Sequence, residues 1–135
     1  MSDLTDFLLA RIAEDEAVAR EASPGGWSYG TVDSVAGGSL YDKTRMIGDL
    51  HYEQPTDHDG SIVRHLLSPE ADANGAHIAR HNPARVLAEC AAKRAIVERW
   101  LHLIEHGDAG SFEWVAKALA WAYRDHTDFD PAWRV

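Results

Sequence analysis

Three histidine-bearing stretches hold residue types at spacings that can do chemistry. The first is "HLIEH" at 102–106. On a helix, His102 and His106 share one face and can chelate a divalent transition-metal ion. Asp108 can add an oxygen ligand. The five residues also spell the inverted zincin pattern His-x-x-Glu-His, which would make Glu105 the general base of a metal-dependent hydrolase. Such a site takes its third ligand from a distant helix, for which a 135-residue chain has little room.

The second stretch is "AHIARHNP" at 76–83. Read as a strand, His77 and His81 point to the same side and can flank one binding site. Asn82-Pro83 follows at once, so His81 can equally organise the turn into the next helix. The third stretch is Asp125-His126-x-Asp128. Two carboxylates beside an imidazole can bind a divalent ion or favour the imidazolium. The same aspartates can instead shape an irregular segment through side-chain-to-backbone bonds, so that Phe129 and Trp133 dock on the core. His77, His81, Asp125, His126 and Asp128 are thus the candidate ligand-binding residues, and His102 and His106 the candidate metal ligands.

Other motifs point away from catalysis. "TDHDG" at 56–60 lacks the ligand series of a calcium loop and reads as a hairpin turn. Cys90 falls on the apolar face of a helix, where a thiol is an inert filler. No phosphate loop, dinucleotide fingerprint or Gly-x-Ser-x-Gly elbow is present, so no cofactor is expected. Five tryptophans are a large share of the chain. Trp100, Trp114 and Trp121 are the candidate interface residues, and Trp100 is expected to be partly exposed because it stands off the Val97 and Leu101 stripe.

These residues need elements to hold them. Residues 3–22 read as a helix with Leu4, Phe7, Leu8, Ile12 and Val18 as its stripe and Ser2 as its cap. "SPGG" at 23–26 stops it. Residues 27–81 read as a small β-region: "WSYGTVDSV", "DKTRMIGDLHYEQP" and "SIVRHLL" as strands, a turn at Asp59-Gly60, a polar loop at 68–75, and "AHIAR" as a short last strand. Residues 82–106 are the clearest helix, capped by Asn82, with Pro83 in the first turn and Gly107 as its left-handed stop. Its expected face is Val86, Leu87, Cys90, Val97, Leu101 and Ile104. Residues 111–124 form a further helix with Ser111 as cap, and the tail "DHTDFDPAWRV" is irregular.

The bulk composition sets outer limits. An apolar fraction of 45% and a charged fraction of 26% are those of an ordinary globular domain, and the length fits a single domain spanning 1–135. One cysteine excludes an internal disulfide and suits a reducing cytosol. No leader and no membrane span are expected, since no apolar run nears the roughly 20 residues a span requires. The formal charge is −9. Residues 1–22 hold six acids and two bases, and no basic stripe exists anywhere, so direct binding to a nucleic-acid backbone is not expected.

Three segments stand out together: "DFLLARIAEDEAVAREASPGGW" (6–27), "HIARHNPARVLAECAAKRAIVE" (77–98) and "LAWAYRDHTDFDPAWR" (119–134). In this order they resemble an uncharacterised family of small proteins from actinobacteria and their phages, a domain of unknown function. The likeness lies in the opening acidic helix with its Pro-Gly-x-Trp-like end. It continues through His-x-Pro-Ala-Arg-Val-Leu into a Lys-Arg-x-Ile helix, and ends on a Tyr-x-Asp-His-x-Asp-Phe-Asp-Pro-x-Trp tail. Many members carry a cysteine-containing insertion after the second helix, suggestive of a metal knuckle. This chain has "RWLHLIEHGDAGSFEWVAKA" there, without cysteine, so that zinc argument does not carry over.

The expected fold is α+β: an N-terminal helix, a small antiparallel sheet and two C-terminal helices packed on it. The expected function is non-catalytic, a cytosolic interaction module from a phage or an actinobacterium that binds a host protein or itself. A small-ligand or nucleotide-binding protein is the alternative, and a metal-dependent hydrolase the third.

Overall fold

The computed structural model describes residues 3–22, 27–31, 38–42, 45–50 and 69–135. In chain order these form α1 (Asp3–Glu21), β1 (Trp27–Thr31), β2 (Gly38–Asp42), β3 (Arg45–Leu50), α2 (Pro69–Arg80), α3 (Pro83–Glu105), α4 (Glu113–Trp121) and a closing 3-10 turn, Pro131–Trp133. The Ser2 cap, the stop at 23–26, the Asp59-Gly60 turn and the strand expected at "SIVRHLL" lie outside the described residues.

Two compact units divide the chain: Met1–Ala19 with Val86–Val135, and Arg20–Arg85. The first has a core built from helices and the tail. Leu4, Phe7, Leu8 and Ile12 of α1 recur at helical spacing and are all buried, as are Cys90, Val97 and Trp100 of α3 and Ala116 and Ala120 of α4. Each of the larger aliphatic side chains contributes about 1.5–3 kcal/mol by leaving water. Val18, expected on the α1 stripe, is 71% exposed. Six residues past Ile12 the helix has turned it outward, and Ala19 faces inward instead.

Trp100 also departs from expectation: it is 3% exposed. It follows Val97 by three residues and therefore shares that face of α3. Its indole Nε1 is buried with no hydrogen-bond partner among the described residues. It is a core residue, not a contact surface.

The second unit holds the sheet. β1, β2 and β3 pair antiparallel in that order, Trp27 opposite Asp42 and Asp42 opposite Arg45, with a bulge between Leu40 and Tyr41. α2 lies against β1 and β2. This segment was expected to be a polar loop and a final strand. It is one helix of 12 residues, with Pro69 in its first turn and the small residues Gly75 and Ala79 buried four apart.

These findings overturn the expected α+β plan. The described residues are mostly helical, with α-helices of 19, 12, 23 and 9 residues against strands of five, five and six. The two C-terminal helices find their core with α1, and the helix that covers the sheet is α2. Among the described residues, no helix is long and apolar enough to cross a membrane.

The ends of α3 follow from local chemistry. Asn82 Oδ1 accepts from the Arg85 backbone N–H at 3.1 Å, and Asn82 Nδ2 donates to the Ala79 carbonyl at 3.0 Å, tying the end of α2 to the start of α3. At the other end Gly107 takes φ +75°. Its N–H donates to the Ile104 carbonyl, and that of Asp108 donates to the Leu103 carbonyl at 2.9 Å. This double closure satisfies carbonyls that the helix end leaves open. α4 is shorter than the expected 111–124. The residue before it is Phe112, not Ser111, and it makes no side-chain cap bond.

Candidate functional site

Among the described residues, the richest polar constellation joins α1 to the tail. Arg11 follows Phe7 by four residues and Leu8 by three, so it falls on the buried side of α1 and is only 8% exposed. A buried cation needs partners. Arg11 Nη2 donates to Glu14 Oε1 at 2.8 Å. Its Nη1 donates to His126 Nδ1 at 2.7 Å and also touches His126 Nε2. Asp128 adds a carboxylate oxygen 3.9 Å from Arg11 Nη1, and its backbone N–H donates to His126 Nδ1 at 3.1 Å. Since arginine and an amide can only donate, His126 Nδ1 serves as acceptor. Arg11 Nε is buried without a partner among the described residues.

Aromatic rings enclose this knot. The Phe7 ring lies 5.0 Å from Trp133, 5.8 Å from His126 and 6.1 Å from Phe129, and the Arg11 guanidinium sits 5.4 Å from the Phe7 centroid. Phe129 and Trp133 thus fold back onto the core, held by Asp130, whose Oδ1 accepts from the Ala132 N–H at 2.8 Å. A pocket of about 320 Å³ opens here, lined by Asp6, Phe7, Ala10, Arg11, Asp128 and Trp133.

A second network pins α1 to α3 and the segment after α4. The Tyr123 hydroxyl donates to Asp15 Oδ2 at 2.7 Å and accepts from Lys93 Nζ at 3.0 Å. Burial, followed by the hydrogen bond to Asp15 and that residue's negative charge, pushes the Tyr123 phenol far above its ordinary range. Arg94 pairs with Glu16 at 3.0 Å. Burial, helped by Asp15, also raises the Cys90 thiol, which keeps it protonated and unreactive.

The sequence candidates divide among these surroundings. His126 and Asp128 meet each other and Arg11. Asp125 is exposed and stands apart from that network among the described residues. His77 and His81 belong to the other unit, at the end of α2, with ring centroids 4.5 Å apart. Their spacing is helical rather than that of a strand, and both are exposed. His102 and His106 share a face of α3 as expected, rings 4.1 Å apart, and Glu105 lies with them. Trp114 is 67% exposed. Trp121 is half-buried, its ring 6.1 Å from Phe129 and beneath the Arg124 guanidinium.

Arg11, Glu14, Asp15, Lys93 and Tyr123 were not singled out from sequence. A signal for Arg11 exists: it is a cation at helical spacing from Phe7 and Leu8, on a face otherwise apolar.

No curated protein matches this chain, and no solved structure does. A family model described as "Family of unknown function (DUF6221)" matches residues 1–135. The match spans both units and every constellation above, and the chain belongs to that family.

Proposed function

We propose that this chain is a small protein-binding module, encoded by an actinobacterium or its phage and working in the cytosol, that docks a partner protein without catalysis. The observation that carries this reading is Trp114. While Phe7, Phe129 and Trp133 pack on one another, the Trp114 indole stands 67% exposed on α4, the short helix whose Ala116 and Ala120 face the core. An indole left in water forgoes burial energy, and tryptophan is enriched among the few residues that carry binding energy at interfaces. The formal charge of −9 favours a partner with a basic surface by steering encounter. Pull-downs with wild-type protein and Trp114→Ala test the reading in parallel. A partner held by the wild type and lost by the variant supports it. Equal capture by both, or capture by neither from a protein that light scattering finds monomeric, overturns it.

A second reading, a small-ligand or nucleotide-binding protein, is favoured by the pocket between Phe7, Arg11 and Trp133. Its size falls in the range of ligand sites. Asp6 and Asp128 on its lining suit a cationic or hydroxyl-rich ligand better than a phosphate. A thermal-shift screen distinguishes the two readings, since a ligand that binds only the folded chain raises Tm with concentration.

A further inference from the structure

The C-terminal end of α3 presents His102, Glu105 and His106 on adjoining positions of one turn. One ligand atom from each lies within 4.8 Å of the other two, and all three residues are exposed. Among the described residues, this is the group of three histidine, cysteine or carboxylate side chains that comes so close. We propose that it is a binding site for a divalent transition-metal ion, zinc in the first place.

Three features carry the assignment. Zinc binds imidazole nitrogen and carboxylate oxygen at about 2.0–2.2 Å. Because the side chains are exposed, small rotations about their χ angles bring the three donor atoms onto one ion. Next, the His106 tautomer is set. Its Nδ1 lies 2.7 Å from the His102 carbonyl, which can only accept, so Nδ1 carries the proton and Nε2 keeps its lone pair for a metal. A ring N–H held by a backbone carbonyl is the arrangement that orients histidine ligands in metal sites. Third, the site sits on the last turn of a helix, whose terminal carbonyls favour positive charge. Gly107 and Asp108 close that turn and hold it in shape.

The donor set chooses the ion. Two imidazoles and one carboxylate suit zinc, nickel or copper, whereas magnesium and calcium take oxygen ligands throughout. Three protein donors leave a further position to water or to a donor from another molecule. The contrast with His77 and His81 is instructive. They too stand four apart with neighbouring rings, at the end of α2, yet among the described residues no carboxylate joins them in a group of three. The assignment concerns binding and is independent of the protein-docking reading.

Calorimetric titration of the full, chelator-stripped chain with zinc chloride tests it. One equivalent is expected to bind. Loss of either imidazole should weaken binding by about tenfold or more, since even an outer-shell partner is worth that much. His102→Ala and His106→Ala should thus lose the site, Glu105→Gln should weaken it, and His77→Ala should leave it unchanged. All four residues are exposed, so far-UV circular dichroism should show the variants folded. The assignment fails if the wild type takes up no zinc at micromolar concentration. It fails equally if the His102→Ala/His106→Ala double variant binds as the wild type does, or if His77→Ala removes the binding.

Discussion

Arg11 and His126 hold each other across 115 positions of the chain, with Arg11 Nη1 donating to His126 Nδ1 at 2.7 Å. This bond joins the first helix to the tail and keeps a buried cation supplied with acceptors. It also lays His126 edge-on against Phe7, the ring around which Phe129 and Trp133 gather.

Arg11→Ala should therefore loosen the tail. It removes the Arg11 donor from His126, which keeps the Asp128 N–H, and from Glu14, and it removes the stem packed beside Phe7. A loss of about 2–3 kcal/mol in unfolding free energy is expected, the range for breaking hydrogen bonds to a charged group. Urea unfolding followed by tryptophan fluorescence measures it, and limited proteolysis should cut the variant between Tyr123 and Val135. An unchanged urea midpoint would show that the Arg11–His126 contact contributes nothing to stability.

Tyr123 makes stability depend on alkaline pH. The folded chain holds its phenol proton above the ordinary value of 10.0, because burial and Asp15 oppose a second negative charge. Above that pH the unfolded chain releases this proton while the folded chain keeps it, so the unfolded state binds fewer protons and stability falls as pH rises. The contribution is fully present below pH 10.0 and is lost above it. Tyr123→Phe should flatten that alkaline decline. At neutral pH it should cost about 1–2 kcal/mol for the lost bonds to Asp15 and Lys93. Urea midpoints measured between neutral and alkaline pH decide the point: parallel curves for the two proteins would refute it.

The two ends of α3 should respond to single substitutions. Asn82→Ala removes the cap on the Arg85 N–H and should cost about 1 kcal/mol, with Asn82→Asp retaining most of it. Gly107→Ala places a side chain at φ +75° with no atom within 4 Å of the new Cβ, so its cost is backbone strain alone, about 1 kcal/mol. Thermal unfolding reads both, and a Gly107→Ala protein as stable as the wild type would contradict the left-handed closure.

Cys90 should be silent in the native state. It is 1% exposed and its thiol is held protonated by burial. A thiol reagent should label it slowly in buffer and completely in denaturant. Rapid labelling without denaturant would mean that α3 opens from the core.

By itself, the sequence determined the features whose causes lie within one turn of chain. Leu4, Phe7, Leu8 and Ile12 define α1 by spacing, Asn82 and Gly107 mark the ends of α3 through bonds to neighbouring backbone, and Pro83 suits its first turn through its fixed φ. The His102–His106 pair was legible for the same reason, since positions four apart on a helix meet whatever surrounds them. Only the tertiary structure decided the rest. Residues 69–80, polar and interrupted by Gly75, form a helix that lies against β1 and β2 and buries its small residues, where packing outweighs weak local preference. Trp100 turns inward because α1 and α4 supply a core for it to enter. Arg11 meets His126, and Tyr123 meets Asp15, across more than a hundred residues. No local signal encodes such a pairing. It exists because packing α1 against α3 and the tail buries polar groups that must then satisfy one another.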